Sequence, residues 1–316
     1  MRNYADEVNL HARIHAMRGR LLCLRDYGSM VREQEPDSLS PSAAQDPVLA
    51  RQTLFRQQIA PVLGLVEACE RYTPLFLAFL RQYEAQNARL LLAKAFGKQS
   101  LEFWYDIGPF AVLDVNLLEK KLSPDEVRSL LAGTYLGGDF RDVSSYRQMD
   151  VRLETSAALN LHRAATSLSK RAQREFQDIM LKRIAVLTVI WSWRLRQCYR
   201  WSEENIGLFR QKFHELFGGQ AYSRVLIEEK ALGRCVERLR SPGGPAPSTV
   251  DIERYLERKF YAWVSAMFHR DFHSLYCVVG YLWLLFYQIK NLFCIIDGKR
   301  FGLSPDRLLE KIIATA

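Results

Sequence analysis

The interval from Asp139 to Ile206 contains neither Gly nor Pro. Because these residues interrupt regular helices and mark turns, their absence over so long a stretch predicts long helices. Alternation of apolar and polar residues, which is typical of strands, is scarce, and its best example is the weak candidate "FAVLDV" at 110–115. The sequence therefore predicts an all-α protein, with turn-rich breaks at 33–46, 137–143 and 241–249.

Composition narrows the class of protein without choosing a function. Hydrophobic residues make up 48% of the chain and charged residues 25%, which is typical of an ordered globular protein. Six scattered cysteines include no C-x-x-C pair, so we expect a reducing compartment and no zinc site. The first residues show no apolar run, so we expect no signal peptide. The net charge of +9 favours an anionic partner, either nucleic acid, lipid headgroups or an acidic protein face.

The longest apolar run is "LYCVVGYLWLLFY" at 275–287. Its 13 residues fall short of the ~20 that span a bilayer, so the run predicts a buried helix.

"GKRFG" follows at 298–302 and suggests a phosphate-loop hypothesis. A phosphate loop needs G-x-x-x-x-G-K-[ST] after a strand, whereas Arg300 stands after Lys299 and a helical pattern precedes both. We therefore predict that Gly298 caps a helix over 275–297 with a positive φ.

Two helix starts and one internal repeat are marked. Ser123 and Ser304 each precede a proline and are predicted N-caps.

"YEAQNARLLLAKAFGK" at 83–98 aligns with "YQIKNLFCIIDGKRFG" at 287–302, so that Asn87 matches Asn291 and, after one insertion, "KAFG" matches "KRFG" ending at Gly302. A weaker middle copy is predicted near residue 189, which gives three helical units over 1–108, 109–217 and 218–316. Both asparagines lie on apolar stripes, and each amide is predicted to bond a neighbouring helix and fix its register.

The candidates for site chemistry are few. His269 and His273 are four residues apart and suggest a metal site, but two ligands favour a surface or turn pair instead. "WSWRLRQCYRW" at 191–201 interleaves aromatic and basic residues, as nucleic-acid binders can. A helix with one core face and one solvated face explains the pattern without RNA, so we expect no nucleic-acid partner. We predict no catalytic residue, no cofactor, no metal and no small-molecule substrate. The interface candidates are basic: Arg194, Arg196, Arg200, Lys299 and Arg300.

The chain resembles the C/d subunit of V-type and archaeal-type rotary ATPases. That family ends in Y-L-x-x-K-E-x-E-x-x-N-L-x-x-I-x-x-G-K-x-x-G-L, and the residues that match are Tyr281, Leu282, Asn291, Leu292, Gly298, Lys299, Gly302 and Leu303. The N-terminal "YADEVNLHARIHAMRGRLL" and the segment that begins "PLFLAFLRQYEAQNARLLL" are also similar to the family pattern. The family's Lys-Glu and second acid are replaced here by Leu285, Phe286 and Gln288, so the ion pairs made there by the family are not expected.

The resemblance implies a non-catalytic rotor part made of three similar helical units arranged as a funnel. The narrow end would seat in the membrane ring of proteolipid subunits, and the other face would receive the central shaft. The part would lie peripherally on the cytoplasmic face of the membrane, near lipid headgroups, and couple proton or sodium flow to ATP chemistry. The alternative function is a helical peripheral membrane or nucleic-acid-binding module.

Overall fold

In a computed structural model of the protein, the chain is described over nine ranges of residues. These are 2–33, 46–98, 103–137, 145–217, 229–230, 232–233, 236–237, 248–270 and 272–314. The predicted breaks at 33–46, 137–143 and 241–249 lie mostly outside the described residues.

Eleven helices are bounded within the described part of the chain, and no strand occurs there. They are α1 (Arg2–Arg18), α2 (Leu24–Arg32), α3 (Pro47–Ala68), α4 (Thr73–Ala95), α5 (Pro124–Ala132), α6 (Tyr146–Ala164), α7 (Lys170–Gln197), α8 (Glu203–Phe217), α9 (Thr249–Phe268), α10 (Leu275–Arg300) and α11 (Pro305–Lys311). The weak strand candidate at 110–115 instead runs from the last residue of one short 3-10 helix, Gly108–Phe110, to the first residue of the next, Val115–Leu118. The prediction of an all-α fold is confirmed.

Helix α10 lies at the centre of the larger core. It packs against α1, α2, α3, α7, α9 and α11. Among the described helices it alone has the length and hydropathy of a membrane span, but 83% of its most apolar window is buried inside the protein. A core helix of a soluble protein passes the same test, so the feature is weak evidence of a span.

The hydrophobic core does not divide along the predicted unit boundaries. One cluster of buried residues extends from Leu10 to Ile313 and draws on 1–108, 109–217 and 218–316 alike. A smaller cluster joins the second half of α4 to α5 and α6. The N-terminal helices α1 and α2 pack on α10 and α11, at the other end of the sequence. Residues of all three ranges therefore share one core, and the division into three units remains a prediction.

The end of α10 differs from the predicted one. The helix continues through Gly298 to Arg300, and the residue with positive φ is Gly302, at 65°. Gly298 is buried, and a Cβ added there would overlap the Leu308 side chain of α11. The prediction that Gly298 is the cap is therefore wrong: its role is to let α11 approach α10, and Gly302 supplies the left-handed backbone.

The two predicted N-cap serines occupy the residues before α5 and α11. Ser123 forms a reciprocal capping box, in which its Oγ accepts from Glu126 N at 3.3 Å and Glu126 Oε2 accepts from Ser123 N at 2.7 Å. Ser304 has extended backbone before α11, but its side chain makes no capping hydrogen bond. Ser123 therefore fixes the start of its helix more firmly than Ser304 does.

Candidate junction of the long helices

Asn87 on α4 and Asn291 on α10 make the same pair of hydrogen bonds. Asn87 Nδ2 donates to Tyr105 O at 2.9 Å, and its Oδ1 accepts from Tyr105 N at 2.8 Å. Asn291 holds both backbone groups of Ile313 in the same way, at 2.9 Å each. The partners were expected in neighbouring helices, but they lie in non-helical segments. A residue outside a helix can offer both its N–H and its C=O to one amide, whereas groups inside a helix are already paired.

The residue three positions before each asparagine also binds a backbone outside its own helix. Glu84 Oε1 accepts from Val112 N and Leu113 N at 2.5 and 2.7 Å. Gln288 Oε1 accepts from Leu22 N at 2.6 Å. Glu84 is 0% exposed and Gln288 5%, so each buried polar side chain gains in these backbone N–H groups the partner that it cannot find in water. The repeated sequence thus has repeated contacts at two positions.

The helix ends that follow are also alike. The chain leaves α4 through Gly97 and α10 through Gly302, each with φ of 65°. In both, the next residue donates its N–H to the carbonyl five residues earlier, Lys98 to Ala93 at 2.8 Å and Leu303 to Gly298 at 2.9 Å. These are Schellman caps. The sequence motifs "KAFG" and "KRFG" therefore encode the same helix ending.

Helices α4, α7 and α10 meet at Trp283. The Phe79 ring of α4 packs edge to face on Trp283 with centroids 5.7 Å apart. The Arg183 guanidinium of α7 lies 5.0 Å from the centroid of the Trp283 ring. A cavity of about 50 Å³ lies beside this contact, lined in part by Gln82, Gln86, Arg89, Glu154 and Arg183. Polar lining of this kind suits a few buried waters.

The first ionic cluster is half-buried and ties α4 to α6 and α7. Arg89 donates from Nε to Asp150 at 2.5 Å and from Nη2 to Glu154 at 3.0 Å. Glu154 also accepts from Trp191 Nε1 of α7. Burial by itself would raise the pKa of Glu154, but Arg89 and further arginines outweigh it, and the pKa lies below its usual value. The carboxylate therefore stays charged and bonds two helices at once.

The second cluster ties α7 to α9 and α10. Arg183 Nη1 donates to Glu257 Oε2 at 2.7 Å, and the Tyr287 hydroxyl donates to the same carboxylate. The side chains of Arg183 and Glu257 are only 8% and 9% exposed. Burial raises the pKa of Glu257, but the Arg183 charge outweighs burial and leaves that pKa at about 2. Both groups are thus ionised inside the core.

A third ion pair completes the connection between the predicted units. Arg194 of α7 donates to both carboxylate oxygens of Glu253 on α9, at 2.5 and 2.7 Å. Arg89, in the range 1–108, pairs with Asp150 and Glu154 in the range 109–217. Arg183 and Arg194, also in 109–217, pair with Glu257 and Glu253 in the range 218–316. Charged bonds therefore join all three ranges.

The sequence did not predict these clusters, although one signal was present. Arg183 stands inside the apolar stretch from Ile179 to Ile190, where an unpaired charge would be very unfavourable. Such a residue predicts a buried acidic partner, but the pattern does not say which one. Glu257 is 74 residues away in the sequence, and only the packing of α7 on α9 brings them together.

The predicted interface residues fall into two groups. Arg194 is tied to Glu253, and Arg196 donates to both oxygens of Glu203 at 2.5 and 2.7 Å. Lys299 Nζ donates to Glu33 O at 2.9 Å. Arg200 and Arg300 are exposed; Arg200 has φ of 56°, and Arg300 lies beside the Phe301 ring. The last two are the best placed of the five to meet a partner.

The paired histidines lie in the turn between α9 and α10 and not on one helix face. His269 is the C-cap of α9, and both His269 and His273 are exposed. The turn packs on α1, where the His15 ring stacks on Phe272 with centroids 3.6 Å apart, and the His11 ring lies 5.8 Å from His273. Within the described ranges, no three His, Cys, Asp or Glu side chains are placed to hold a metal ion.

A family model gives the identification of the chain. The family model described as ATP synthase (C/AC39) subunit matches residues 66–311. No curated protein matches the chain. The matched range contains both asparagines of the repeat and all three ion-paired arginines of the junction.

Proposed function

Because the chain belongs to the ATP synthase (C/AC39) subunit family, we propose that it is the non-catalytic central-stalk adaptor of a rotary V-type or A-type ATPase. It links the rotor shaft to the membrane proteolipid ring and transmits torque between ion translocation and ATP chemistry. It lies on the cytoplasmic face of the membrane as a peripheral part of the complex. Its surfaces, and not a catalytic pocket, carry this function.

The observation that carries the proposal is the ionic junction of α4, α7, α9 and α10. A torque adaptor must not open locally under load, because local unfolding would absorb the rotation. Arg89, Arg183 and Arg194 are each held by carboxylates on another helix. The Arg183 and Glu257 side chains are only 8% and 9% exposed, so removing either one leaves an uncompensated buried charge, at a cost of about 3–5 kcal/mol. The junction therefore resists separation of the three units.

The arrangement of three similar units about a common axis is part of the proposal. It is supported by the matching contacts at Glu84 and Gln288 and at Asn87 and Asn291. The middle copy, expected near residue 189, falls on α7, which meets the other two helices at Trp283. The funnel shape, with its narrow end in the ring, follows from the family resemblance.

The alternative is a helical peripheral membrane or nucleic-acid-binding module. Two of the five basic interface candidates, Arg194 and Arg196, already bond Glu253 and Glu203. An arginine that is already paired with a carboxylate neutralises phosphates poorly and so releases few counterions from a nucleic acid. These contacts favour the adaptor over the nucleic-acid module.

Affinity purification of the tagged full chain from detergent-solubilised native membranes tests the proposal. The adaptor should retain proteolipid and central-shaft subunits at near-stoichiometric levels through washes at raised salt. A module for nucleic acid or lipid would instead lose its partners as salt increases. Recovery of the chain without ATPase subunits would reject the adaptor.

A further inference from the structure

The turn between α6 and α7 carries only basic charge. From Arg163 to Arg174 the chain has four basic side chains and no acidic one. All four are exposed. Arg171 pairs with Glu175 at 3.0 Å, whereas Arg163, Lys170 and Arg174 form no ion pair within the described ranges. Three exposed cations are therefore available to a partner.

Two of these charges stand where a helix is least suited to hold them. Lys170 and Arg171 are the first two residues of α7, and its first turn contains no acidic residue. Cations at a helix N-terminus oppose the helix dipole, and Lys170 and Arg174, four residues apart on one face, repel each other. Residues that break a local rule in this way are typical of functional sites, so the charge indicates a partner outside the chain.

The turn between α9 and α10 extends the basic surface. Glu175 of α7 accepts from the N–H of Leu275, the first residue of α10, at 2.7 Å, and the Tyr276 hydroxyl donates to Asp178 at 3.2 Å. These contacts hold the start of α10 against the start of α7. Arg270 is exposed, and its charge is close enough to oppose the rise in the pKa of Tyr276 that burial causes. We call four residues the basic ridge: Arg163, Lys170, Arg174 and Arg270.

An exposed aromatic ring adjoins the basic ridge. Phe272 follows Arg270 by two residues and is 54% exposed, and it stacks on the His15 ring of α1 with centroids 3.6 Å apart. An exposed apolar ring beside several cations is typical of surfaces that lie on a membrane. There the basic side chains meet lipid phosphates and the ring enters the headgroup region.

A nucleic acid fits the basic ridge less well than a membrane does. Between Arg163 and Arg174 the sequence has no aromatic residue on which a base could stack. The cations are also spread over two inter-helix turns, whereas groove readers place one helix or strand along the groove. A bilayer needs no such geometry, because its phosphates are spread over a plane. These observations favour a lipid surface.

We propose that the basic ridge binds the phosphate headgroups of an anionic bilayer, with Phe272 among them. Each lysine or arginine near such a surface strengthens binding about fivefold, and salt screens the attraction. Lipid binding is a property of the isolated chain, whereas its orientation rests on the adaptor function proposed above. In the complex, the starts of α7 and α10 face the membrane, and the ends that carry Arg200 and Arg300 face away from it.

Co-sedimentation of the purified full chain with vesicles tests the basic ridge. Wild type should bind vesicles of equal parts phosphatidylcholine and phosphatidylglycerol at low salt, bind them much less at high salt, and leave vesicles of phosphatidylcholine alone unbound. Changing three ridge residues together, Arg163→Gln, Lys170→Gln and Arg174→Gln, should weaken binding to the anionic vesicles about a hundredfold. All three are exposed, so circular dichroism should stay that of wild type.

A second triple variant removes the same charge elsewhere. Arg25→Gln and Arg32→Gln on α2 and Arg307→Gln on α11 change exposed residues. Helix α2 lies near the other end of α10, where Glu33 O accepts from Lys299, so this control should bind the anionic vesicles nearly as wild type does. Equal losses in the two triple variants would show that only net charge matters and would overturn the ridge. Absence of wild-type binding to the anionic vesicles would overturn it as well.

Co-purification separates the basic ridge from the adaptor role. The ridge triple variant should still bring down proteolipid and shaft subunits from solubilised membranes, because detergent replaces the bilayer that the ridge contacts. Loss of these subunits with unchanged vesicle binding would place an acidic protein face on the ridge and overturn the lipid contact. Wild-type vesicle binding without co-purified subunits would reject the adaptor and support the ridge.

Discussion

Phe79 and Trp283 pack edge to face with ring centroids 5.7 Å apart, and they are separated by the same number of residues as Asn87 and Asn291. Equivalent positions of the repeat therefore touch each other. Contact between equivalent positions is expected where similar units pack about a common axis. The Arg183 guanidinium of α7 also lies over the Trp283 ring, so the third long helix joins at the same place.

The asparagine clamps should contribute strongly to stability. Asn291→Ala leaves the buried N–H and C=O of Ile313 without partners, and we expect a loss of about 2–4 kcal/mol in the free energy of unfolding. Asn87→Ala should cost less, since Tyr105 is only half-buried. Urea unfolding measures both, with Asn116→Ala, at an exposed position, as the control. If Asn291→Ala were as stable as Asn116→Ala, the clamp would have no structural role.

The Arg183–Glu257 pair should make stability depend on acidity. The pKa of Glu257 falls from 4.5 to about 2 on folding, because Arg183 outweighs burial. The unfolded chain therefore takes up the proton first. The stabilisation is complete above pH 4.5 and declines as the pH falls from there towards about 2. In urea unfolding at a series of pH values, Glu257→Gln should show a shallower decline than wild type, because other carboxylates with lowered pKa, such as Glu154, still contribute.

A second pair of variants separates the buried charge from the packing. Glu257→Leu alone leaves Arg183 charged without its main partner and should destabilise by about 3–5 kcal/mol. Adding Arg183→Met removes that charge, so the double variant should recover much of the loss. Additive losses in this double-mutant cycle would contradict the assignment.

The two glycines at the end of α10 should respond to substitution for different reasons. Gly302→Ala forces a side chain into φ of 65° with open space around it, and we expect about 1–2 kcal/mol of destabilisation. Gly97→Ala should behave the same way, since it shares that geometry. Gly298→Ala should lose about 1–3 kcal/mol by overlap with Leu308. Only the Gly298→Ala loss should shrink when Leu308→Ala is added; equal coupling at both glycines would refute the distinction.

The basic residues should divide into structural and interface groups. Arg194→Gln breaks the pair with Glu253 and should lower the melting temperature of the isolated chain. Arg300→Glu and Arg200→Glu change exposed side chains and should leave the melting temperature within about a degree. These two charge reversals should instead weaken retention of the chain by the membrane complex. A melting temperature lowered equally by all three changes would place Arg200 and Arg300 in the structural group.

Sequence patterns predicted the fold class but not the partners of the buried asparagines or which glycine caps α10. Long intervals without Gly or Pro and clear N-caps sufficed to predict helices, since both signals are local. Gly298 and Gly302 are four residues apart in one motif, and which of them caps α10 depends on the approach of Leu308. The amide partners of Asn87 and Asn291 lie 18 and 22 residues away. Pairing at such distances is set by tertiary packing, which periodicity does not encode.

The central claim, that this chain couples rotation in the membrane to ATP chemistry, is tested most directly by ATP-driven ion uptake into membrane vesicles from cells without the chain. The account predicts that the ATP-dependent ion gradient is lost although the proteolipid ring and the catalytic headpiece are both present. Adding back the purified full chain should restore the gradient. An undiminished gradient in the absence of the chain would contradict the account.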